Sequence, residues 1–329
     1  MQARRRFARP VATRSKVVLE MAAELAVNND WPFQQASVTL RPQGGEETGI
    51  CLFGSDSHEA IEGVRRGEVH LAIINPAEPL TLAVRGTGPF KEPIALRAIA
   101  VIPSLDAYAF AVSERTGLKS LEEIREKKYP LRVSLRGQRD HSNHFLEQVV
   151  LETLGFSLDD IVKWGGEVRY DPGLPNGIST SGANYEKTRI DMAKAREIDA
   201  IFDEAVNAWV GLALDAGFRL LPLSETVVKK LETMGMRRSV LKKEQWPKLP
   251  GDVLSLDFSG WPIYTHANVP DEVVTSMCAA LEARKDQIPW QGEGPLPLER
   301  MCKDSPEGPL DIPLHPAAER FWSKCGYLG

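Results

Sequence analysis

The sequence has few cysteines and no long apolar run. The four cysteines among its 329 residues include no Cys-x-x-Cys pair, so the sequence offers no zinc framework. Free thiols are the expected state of Cys51, Cys278, Cys302 and Cys325, with a structural disulfide as the alternative. No stretch reaches the ~18 uninterrupted apolar residues that a membrane-spanning helix needs.

The sequence also lacks an excess of positive charge and the common nucleotide motifs. Its net charge of -5 and its pI of 5.8 give no reason to expect nucleic acid or an anionic membrane as a partner. The Gly-Thr-Gly at 86–88 has no third glycine, no Walker lysine is present, and no Gly-x-Ser-x-Gly elbow supplies a nucleophilic serine. We therefore expect no cofactor and no Ser-His-Asp hydrolase.

The N-terminus has no apolar export signal. Arg4, Arg5, Arg6 and Phe7 resemble a twin-arginine motif, but charged residues such as Glu20 interrupt the segment that follows. As written, the sequence predicts a cytoplasmic protein. A start site chosen too far downstream would hide a signal and place the protein in the periplasm.

The length of the chain indicates two lobes. Single hydrophobic cores stop growing at roughly 250 to 300 residues, and this chain has 329. Its apolar fraction of 43% and charged fraction of 26% are typical of a globular protein. Buried strands at 69–74 and 96–102 alternate with amphipathic helices, which favours βαβ units and mainly parallel sheets. The sequence also predicts a first helix capped by Ser15, a loop at Gly44-Gly45 and a helix at 271–284.

Two strand-to-helix turns carry the polar residues that most resemble a ligand site. The first, Gly54-Ser55-Asp56-Ser57-His58, follows a strand and precedes a helix. Hydroxyls and free backbone N–H groups at such a helix start favour a carboxylate, although an ordinary N-cap would use the same residues.

The second turn, at 136–142, follows a strand at 131–135 and opens a helix that ends near Gly155. Arg136 and Arg139 there could clamp a carboxylate, with Ser142 and N–H groups completing the site. Of the two arginines, Arg139 is the favoured one because it lies nearer the helix start. The alternative is a solvated loop in which Asp140 pairs with an arginine.

Further polar residues flank the predicted strands. Asn75 and Tyr108 lie beside strands of the first half, and Asp203 and Asn207 occupy the matching place in the second. Because a carboxylate at Asp203 would repel an anionic ligand, we expect it to orient an arginine.

A histidine pair leaves a catalytic alternative open. His141 and His144 lie three residues apart on one helix face, and Asp203 and Glu204 end a strand of the same half. Such a set could ligate a divalent metal or supply acid–base groups. The pair is a weak metal motif because no third ligand is fixed by the spacing.

The order of these segments resembles the TAXI group of substrate-binding proteins of TRAP transporters. The resemblance runs over residues 37–329, through GSDSHEAIEGVRRGEVHLAII, LRAIAVIPSLDAYAFAVSERTGLKSLEEI, VSLRGQRDHSNHFLEQVVLETLGF, IDAIFDEAVNA, RLLPLS and LHPAAERFW. At 136–142 the sequence departs from that family, in which the turn is built of small residues. The segment 164–184 is a long loop rich in Gly, Pro, Asn and Ser.

The resemblance implies a type II periplasmic-binding-protein fold, with two α/β lobes around a cleft joined by two crossing strands. We expect residues 1–108 and 262–329 in lobe 1 and 109–261 in lobe 2. The implied ligand is a small organic carboxylate, and membrane transporter subunits are implied partners if the chain is exported. The predicted ligand-binding residues are Gly54, Ser55, Asp56, Ser57, His58, Asn75, Tyr108, Arg136, Arg139, His141, Ser142, Asp203 and Asn207.

A cytoplasmic enzyme that uses the same fold is the competing hypothesis. It would be a decarboxylase or lyase acting on a carboxylate, with His141, His144, Asp203 and Glu204 as candidate catalytic groups.

Overall fold

The computed structural model describes residues 10–28, 35–41, 49–171 and 188–328 of the chain. The predicted loop around 44–45 and most of the segment 164–184 lie outside these ranges. Across the ranges described, strands and helices alternate and form two five-stranded sheets and one two-stranded sheet. No helix among these residues is both long enough and apolar enough to cross a membrane.

The first lobe is built on one of the five-stranded sheets. Its strands are β1 (Ala36–Leu40), β2 (Ile50–Gly54), β3 (Leu71–Ile73), β4 (Leu96–Ile102) and β12 (Trp261–His266). They lie in the order β1-β2-β3-β12-β4, with β2 and β3 parallel and β12 antiparallel to both of its neighbours. The helices of this lobe are α1 (Pro10–Asn28), α2 (Ala60–Arg65), α3 (Glu78–Arg85), α10 (Asp271–Arg284), α11 (Leu298–Met301) and α12 (Pro316–Lys324).

The second lobe is built on the other five-stranded sheet. Its strands are β5 (Ala109–Ser113), β6 (Arg132–Arg136), β7 (Glu167–Asp171), β8 (Ala200–Asp203) and β9 (Phe218–Leu220), in the order β7-β6-β8-β5-β9. The helices are α4 (Glu122–Glu126), α5 (Ser142–Leu154), α6 (Leu158–Lys163), α7 (Arg189–Lys194), α8 (Val206–Asp215) and α9 (Glu225–Met234). A 3₁₀ turn at Glu114–Thr116 and the antiparallel pair β10 (Arg238–Leu241) and β11 (Val253–Leu256) complete it.

Two segments carry the chain between the sheets and pair with each other. One connects β4 to β5, and the other connects β11 to β12. The Phe258 N–H donates to Asp106 O over 3.0 Å, and the Gly260 N–H donates to Ser104 O over 2.9 Å. In each sheet the strand that arrives through a crossing segment, β5 or β12, is antiparallel to both of its neighbours. The predicted boundaries at 108/109 and 261/262 fall at the ends of these segments, and the division into two domains stays a prediction.

Successive side chains around β5 point alternately into two hydrophobic cores. Tyr108, Phe110 and Val112 face a core formed with α5 and α9, while the alanines between them face α7 and α8. Leu82 of α3 belongs to the same core as Phe110, so this helix of the first lobe packs against the second lobe. The lobes therefore share an apolar contact beside the polar one described below.

Several predicted elements are observed and others need correction. The strand 96–102 and the helix 271–284 have the predicted bounds, and all four cysteines are free. The segment predicted as a loop from 164 onward contains β7. The first helix begins at Pro10 rather than at a Ser15 cap, and its apolar side chains from Val17 to Leu25 are exposed.

Candidate functional site

The carboxyl ends of β6 and β8 bring Arg136 and Asp203 together. Adjacent parallel strands end at the same sheet edge, which is where α/β proteins bind ligands. Arg136 donates to Asp203 Oδ1 from Nε over 3.1 Å and from Nη2 over 2.8 Å. Asn143 Nδ2 donates to the same oxygen over 3.2 Å. The expected role of Asp203 in orienting an arginine agrees with these contacts.

A second, fully buried arginine holds the other oxygen of Asp203. Arg189 Nη1 donates to Oδ2 over 2.5 Å, while its Nη2 donates to the carbonyls of Ser134 and Phe202 over 2.6 and 2.7 Å. Arg189 therefore ties β6 to β8. We call Arg136, Asn143, Arg189, Asp203 and the adjacent Glu204 the cluster. Burial alone would raise the pKa of Asp203, but Arg136 and Arg189 outweigh it, and the pKa lies below its ordinary value.

Three nitrogen donors surround one carboxylate oxygen, Glu204 Oε1. Asn75 Nδ2 donates to it over 2.9 Å from the first lobe. From the second lobe, His141 Nε2 lies 3.3 Å and Arg136 Nη2 lies 3.5 Å from the same oxygen. We call Asn75, His141 and Arg136 the donor set. It can hold a carboxylate oxygen, and in this structure it holds one that belongs to the protein.

The tautomer of His141 makes its ring a donor. The Asn143 N–H donates to His141 Nδ1 over 3.1 Å, so the neutral ring carries its proton on Nε2, facing Glu204. Burial lowers the pKa of His141 well below its ordinary value, and the charge of Arg136 lowers it further. Arg136 Nη1 lies 3.0 Å from Nε2. With this tautomer both nitrogens are donors, so they form no hydrogen bond with each other. The acceptor near both side chains is Glu204 Oε1.

Burial favours the neutral form of the Glu204 carboxyl. Burial raises its pKa well above the ordinary value; Arg136 opposes this, and the neighbouring carboxylates of Asp106 and Asp203 add to it. Its second oxygen, Oε2, has no hydrogen-bonding partner among the described residues. A proton on Oε2 leaves Oε1 as the acceptor of the donor set.

The two predicted turns contact each other directly. Ser142 donates to Asp56 O twice, from its backbone N–H over 2.9 Å and from Oγ over 2.6 Å. Ser57 and His141 form an isolated antiparallel bridge beside these bonds. The N–H groups at the start of α5, which the sequence assigns to a ligand, are thus taken by Asp56 O and by His141 Nδ1. This contact joins the lobes.

Two serine hydroxyls of the turn at 54–58 accept hydrogen bonds from backbone N–H groups nearby in the sequence. Gly54 ends β2, the Ser57 N–H donates to Ser55 Oγ over 3.0 Å, and the Glu59 N–H donates to Ser57 Oγ over 3.2 Å. The His58 ring packs on Phe145 at 4.4 Å. Burial raises the pKa of the Asp56 carboxyl, while Arg136 opposes this shift. Of this turn, Asp56 is the residue that faces the cluster.

Three predicted residues lie away from the cluster. Arg139 is exposed, with its guanidinium 4.4 Å from the centre of the Tyr170 ring, so Arg136 replaces it as the candidate clamp. Asn207 is exposed on α8 and accepts a hydrogen bond from Gln245. Tyr108 packs against Phe202 and Phe258 inside the second lobe. Each was expected in the cleft because it flanks a strand end, but its side chain points elsewhere.

The rings of His141 and His144 have different partners. His144 Nε2 contacts Arg136 O at 3.1 Å and Gln138 O at 2.9 Å, so this ring fixes the loop after β6. Among the residues that the structure describes, no three His, Cys, Asp or Glu side chains are grouped to hold a metal ion. His141 Nε2 lies beside Glu204 Oε1, whereas His144 Nε2 faces two backbone carbonyls, and the catalytic alternative stays a prediction.

Asp106, in the first crossing segment, fixes the start of α8. Its Oδ2 accepts from the Ala205 N–H over 2.7 Å, and its Oδ1 accepts from the Val206 N–H over 3.2 Å. Burial raises the pKa of Asp106 to about 6, although these hydrogen bonds act to lower it. The crossing segment is thereby attached to the strand end that carries Glu204.

Sequence reasoning missed Arg189 and Asn143. A signal for Arg189 was present: Thr188 and Asp191 form a capping box, which places Arg189 at the first position of α7. The box marks where the helix starts, but it does not indicate that the arginine points inward to Asp203.

Comparison with known proteins gives one family. The profile of the NMT1-like family matches residues 54–326, which include both turns and all of the donor set. The chain belongs to the NMT1-like family. Comparison with curated proteins gives no match. The family match does not show the TAXI group, so that finer assignment stays a proposal.

Solved structures similar to this NMT1-like chain have low identity to it. The alkanesulfonate-binding protein SsuA of Xanthomonas axonopodis pv. citri, bound to MOPS, is 14% identical over 69% of this chain and 78% of its own, with a TM-score of 0.28. A TctC solute-binding protein of Polaromonas is 17% identical over 68% and 66%, with a TM-score of 0.32. The ATP phosphoribosyl transferase complex of Thermotoga maritima is 9% identical over 81% and 92%, with a TM-score of 0.33.

The predicted fold class is confirmed. The chain has two α/β lobes joined by two crossing segments, as the sequence predicts.

Proposed function

We propose that this protein binds a small organic carboxylate between its two lobes, as a solute-binding protein of the TAXI type. The observation that carries the proposal is the donor set around Glu204 Oε1. Amide, imidazole and guanidinium donors converge on a single carboxylate oxygen, with the amide on one lobe and the other two on the other. A ligand carboxylate that displaces Glu204 meets the same three donors.

The charges near Arg136 favour an ionised ligand over the neutral carboxyl of Glu204. Asp203 is shared between Arg136 and Arg189, so these three residues together carry one excess positive charge. A neutral Glu204 and a neutral His141 add nothing to it. Asp56, opposite on the first lobe, is the carboxylate that a ligand would compete with. A buried guanidinium gains more from an ionised partner than from a neutral one.

Contributions from both lobes couple binding to closure. Asn75 follows β3 in the first lobe, whereas Arg136 and His141 flank the turn of the second. Separating the lobes removes Asn75 from the donor set and breaks the Ser142–Asp56 contact. A ligand held by all three donors makes more contacts when the lobes are closed than when they are apart. Its binding therefore stabilises the closed arrangement. If the chain is exported, membrane subunits of a transporter are its expected partners.

Thermal unfolding of the whole chain with a panel of small carboxylates tests the proposal. A ligand that binds the folded state alone raises the melting temperature in proportion to its concentration and affinity. Each acid is paired with its uncharged amide, which retains the shape and loses the charge. We expect at least one acid, and not its amide, to raise the melting temperature. Equal shifts for acids and amides, or no shift from any acid, would contradict the proposal.

A further inference from the structure

Ala205, the residue after Glu204, has a left-handed backbone. Its φ of 54° and ψ of 40° lie in a region that alanine adopts at a cost in free energy and glycine adopts freely. Because Val206 is the first residue of α8, the conformation of Ala205 sets the direction in which the chain leaves Glu204. A strained residue beside a ligand site persists only where its surroundings hold it in place.

Asp106 supplies the contacts that hold Ala205 in this conformation. One carboxylate oxygen accepts from the Ala205 N–H over 2.7 Å, and the other accepts from the Val206 N–H over 3.2 Å. Successive N–H groups that converge on one anion are typical of a backbone with a left-handed residue. Since an ionised acceptor forms the stronger hydrogen bonds, the Asp106 carboxylate offsets the strain of Ala205.

The backbone of Asp106 joins the two crossing segments. The Phe258 N–H donates to Asp106 O over 3.0 Å. Ser259 Oγ accepts from the Asp106 N–H over 3.1 Å and donates to Asp106 O over 3.2 Å. A movement of one lobe relative to the other acts on these segments, because they connect the two sheets. Asp106 therefore links the place where the lobes move to the strand end that carries Glu204.

Glu204 itself is tied on both sides of its backbone. Its N–H donates to Asp203 Oδ1 at the end of β8 over 2.9 Å. Its carbonyl accepts from Trp209 Nε1 of α8 over 2.7 Å. The position of α8 relative to β8 therefore determines where the Glu204 carboxyl lies, and Ala205 is the residue that sets this position.

We infer that Asp106 is a positioning residue, which holds the Glu204 carboxyl in the donor set through the left-handed Ala205. Its effect on ligand affinity rests on the proposed function, in which a ligand carboxylate displaces Glu204. Loss of the Asp106 contacts lets Ala205 relax and releases Glu204, so removing Asp106 should favour ligand binding. A residue that only supported the fold would lower the affinity when it is removed.

Calorimetric titration with the acid found by thermal unfolding tests this effect. Asp106→Asn keeps the shape of the side chain but directs an amide donor at the N–H of Ala205 or Val206, and it should raise the affinity about tenfold. Ala205→Val should also raise it, because a β-branched side chain disfavours the left-handed region, whereas Ala205→Gly should not. The matched control is Asp160→Asn, which alters a capping box at the start of α6 and should bind like the parent chain.

The imidazole N–H resonance of His141 tests the inference without a ligand. His141 Nε2 carries its proton and lies 3.3 Å from Glu204 Oε1, so the resonance reports whether that carboxyl is in place. Its absence from the proton NMR spectrum of His141→Gln identifies it. We expect Asp106→Asn to shift or broaden this resonance and Asp160→Asn to leave it unchanged.

The outcomes separate this inference from the proposed function. An unchanged His141 resonance in Asp106→Asn would overturn the inference whether or not a ligand binds. Equal or lower affinity in Asp106→Asn and Ala205→Val would also overturn it. If no acid binds to the parent chain, the proposed function fails and the His141 resonance alone decides the inference. Circular dichroism checks that each variant is folded.

Discussion

Asn75 Nδ2 and Glu204 Oε1 form a 2.9 Å hydrogen bond between residues of different lobes. The acceptor is a protein carboxyl group in the place where we propose that a ligand carboxylate binds. Ligand binding in this account is therefore an exchange, in which an ionised carboxylate replaces a neutral one. The exchange makes affinity depend on the protonation of Glu204.

The variant Glu204→Gln should remove a pH dependence of carboxylate binding. Below its raised pKa Glu204 is neutral and tolerates an anion beside it; as the pH rises through that pKa, it ionises and repels the ligand. The affinity of the parent chain should then fall by at most about tenfold per pH unit. Glutamine cannot ionise, so the affinity of the variant should stay level. Calorimetric titration with the acid found by thermal unfolding, over a pH series, measures both.

The exposed helix residue Glu152 supplies the control for that series. Glu152→Gln removes the same charge far from the donor set and should follow the parent curve. A Glu204→Gln curve that falls in parallel with the parent curve would show that Glu204 does not face the ligand.

Ser142→Pro should loosen the contact between the lobes without disturbing α5. Proline is well tolerated at the first position of a helix, and His141 before it already has an extended ψ of 136°. The substitution removes both the N–H and the hydroxyl that bond to Asp56 O. At about 1 kcal/mol for each hydrogen bond, closure should weaken by roughly 2 kcal/mol. We expect a larger radius of gyration by small-angle X-ray scattering, with helix content unchanged by circular dichroism.

The milder Ser142→Ala variant keeps the backbone N–H and should give about half of this effect. A Ser142→Pro chain as compact as the parent would mean that the apolar contact through α3 alone holds the lobes together.

Arg189→Met should destabilise the fold far more than a matched substitution nearby. Removing this buried cation leaves Asp203 Oδ2 and two strand carbonyls without their partner, and breaking a buried ion pair costs about 3–5 kcal/mol. The matched residue is Arg169, whose partly exposed guanidinium lies 3.4 Å from Asp171. Arg169→Met should lower the free energy of unfolding by less than about 1 kcal/mol. Urea unfolding followed by tryptophan fluorescence gives both values. Similar losses for the two variants would contradict the structural role of Arg189.

Glu147 should make stability fall as the pH rises toward 8. Burial raises its pKa from 4.5 to about 8, next to Tyr108. Between these values the unfolded chain loses the proton and the folded chain keeps it, so stability falls by about 1.4 kcal/mol per pH unit and then levels off above the folded pKa. In Glu147→Gln this contribution is absent, so the difference from the parent grows over the same window. Urea midpoints measured from pH 4 to pH 9 test it, and parallel curves would contradict it.

The elements that could be predicted are those whose apolar pattern is regular. The strand Leu96–Ile102 and the helix Asp271–Arg284 have clear periods and clear ends, and their predicted bounds match the structure. Helix α3 was missed because it has only eight residues and buries polar Glu78 and Thr81 together with its apolar residues. Strand β7 was missed because charged residues alternate with Val168 and Tyr170 in this short strand on a sheet edge.

The candidate site was predicted at the level of turns but not of side-chain direction. Strand ends at 54 and 136 indicated which turns would face each other, and Ser142 does contact Asp56. Sequence spacing cannot say that Arg139 points outward to Tyr170 while Arg136 points inward to Asp203. It also gives no sign that Arg189, distant in the sequence and first in its helix, neutralises the same carboxylate. These directions depend on tertiary packing between α7, β6 and β8.

The most direct test of carboxylate binding compares the two arginines of one turn. Arg136→Met removes the inward guanidinium of the donor set, whereas Arg139→Met removes the outward one. Both variants lose one positive charge within six residues of the start of α5. Calorimetric titration with the acid selected by thermal unfolding should show binding to the parent and to Arg139→Met, and none to Arg136→Met in its folded state. Binding that survives in Arg136→Met and is lost in Arg139→Met would contradict the account.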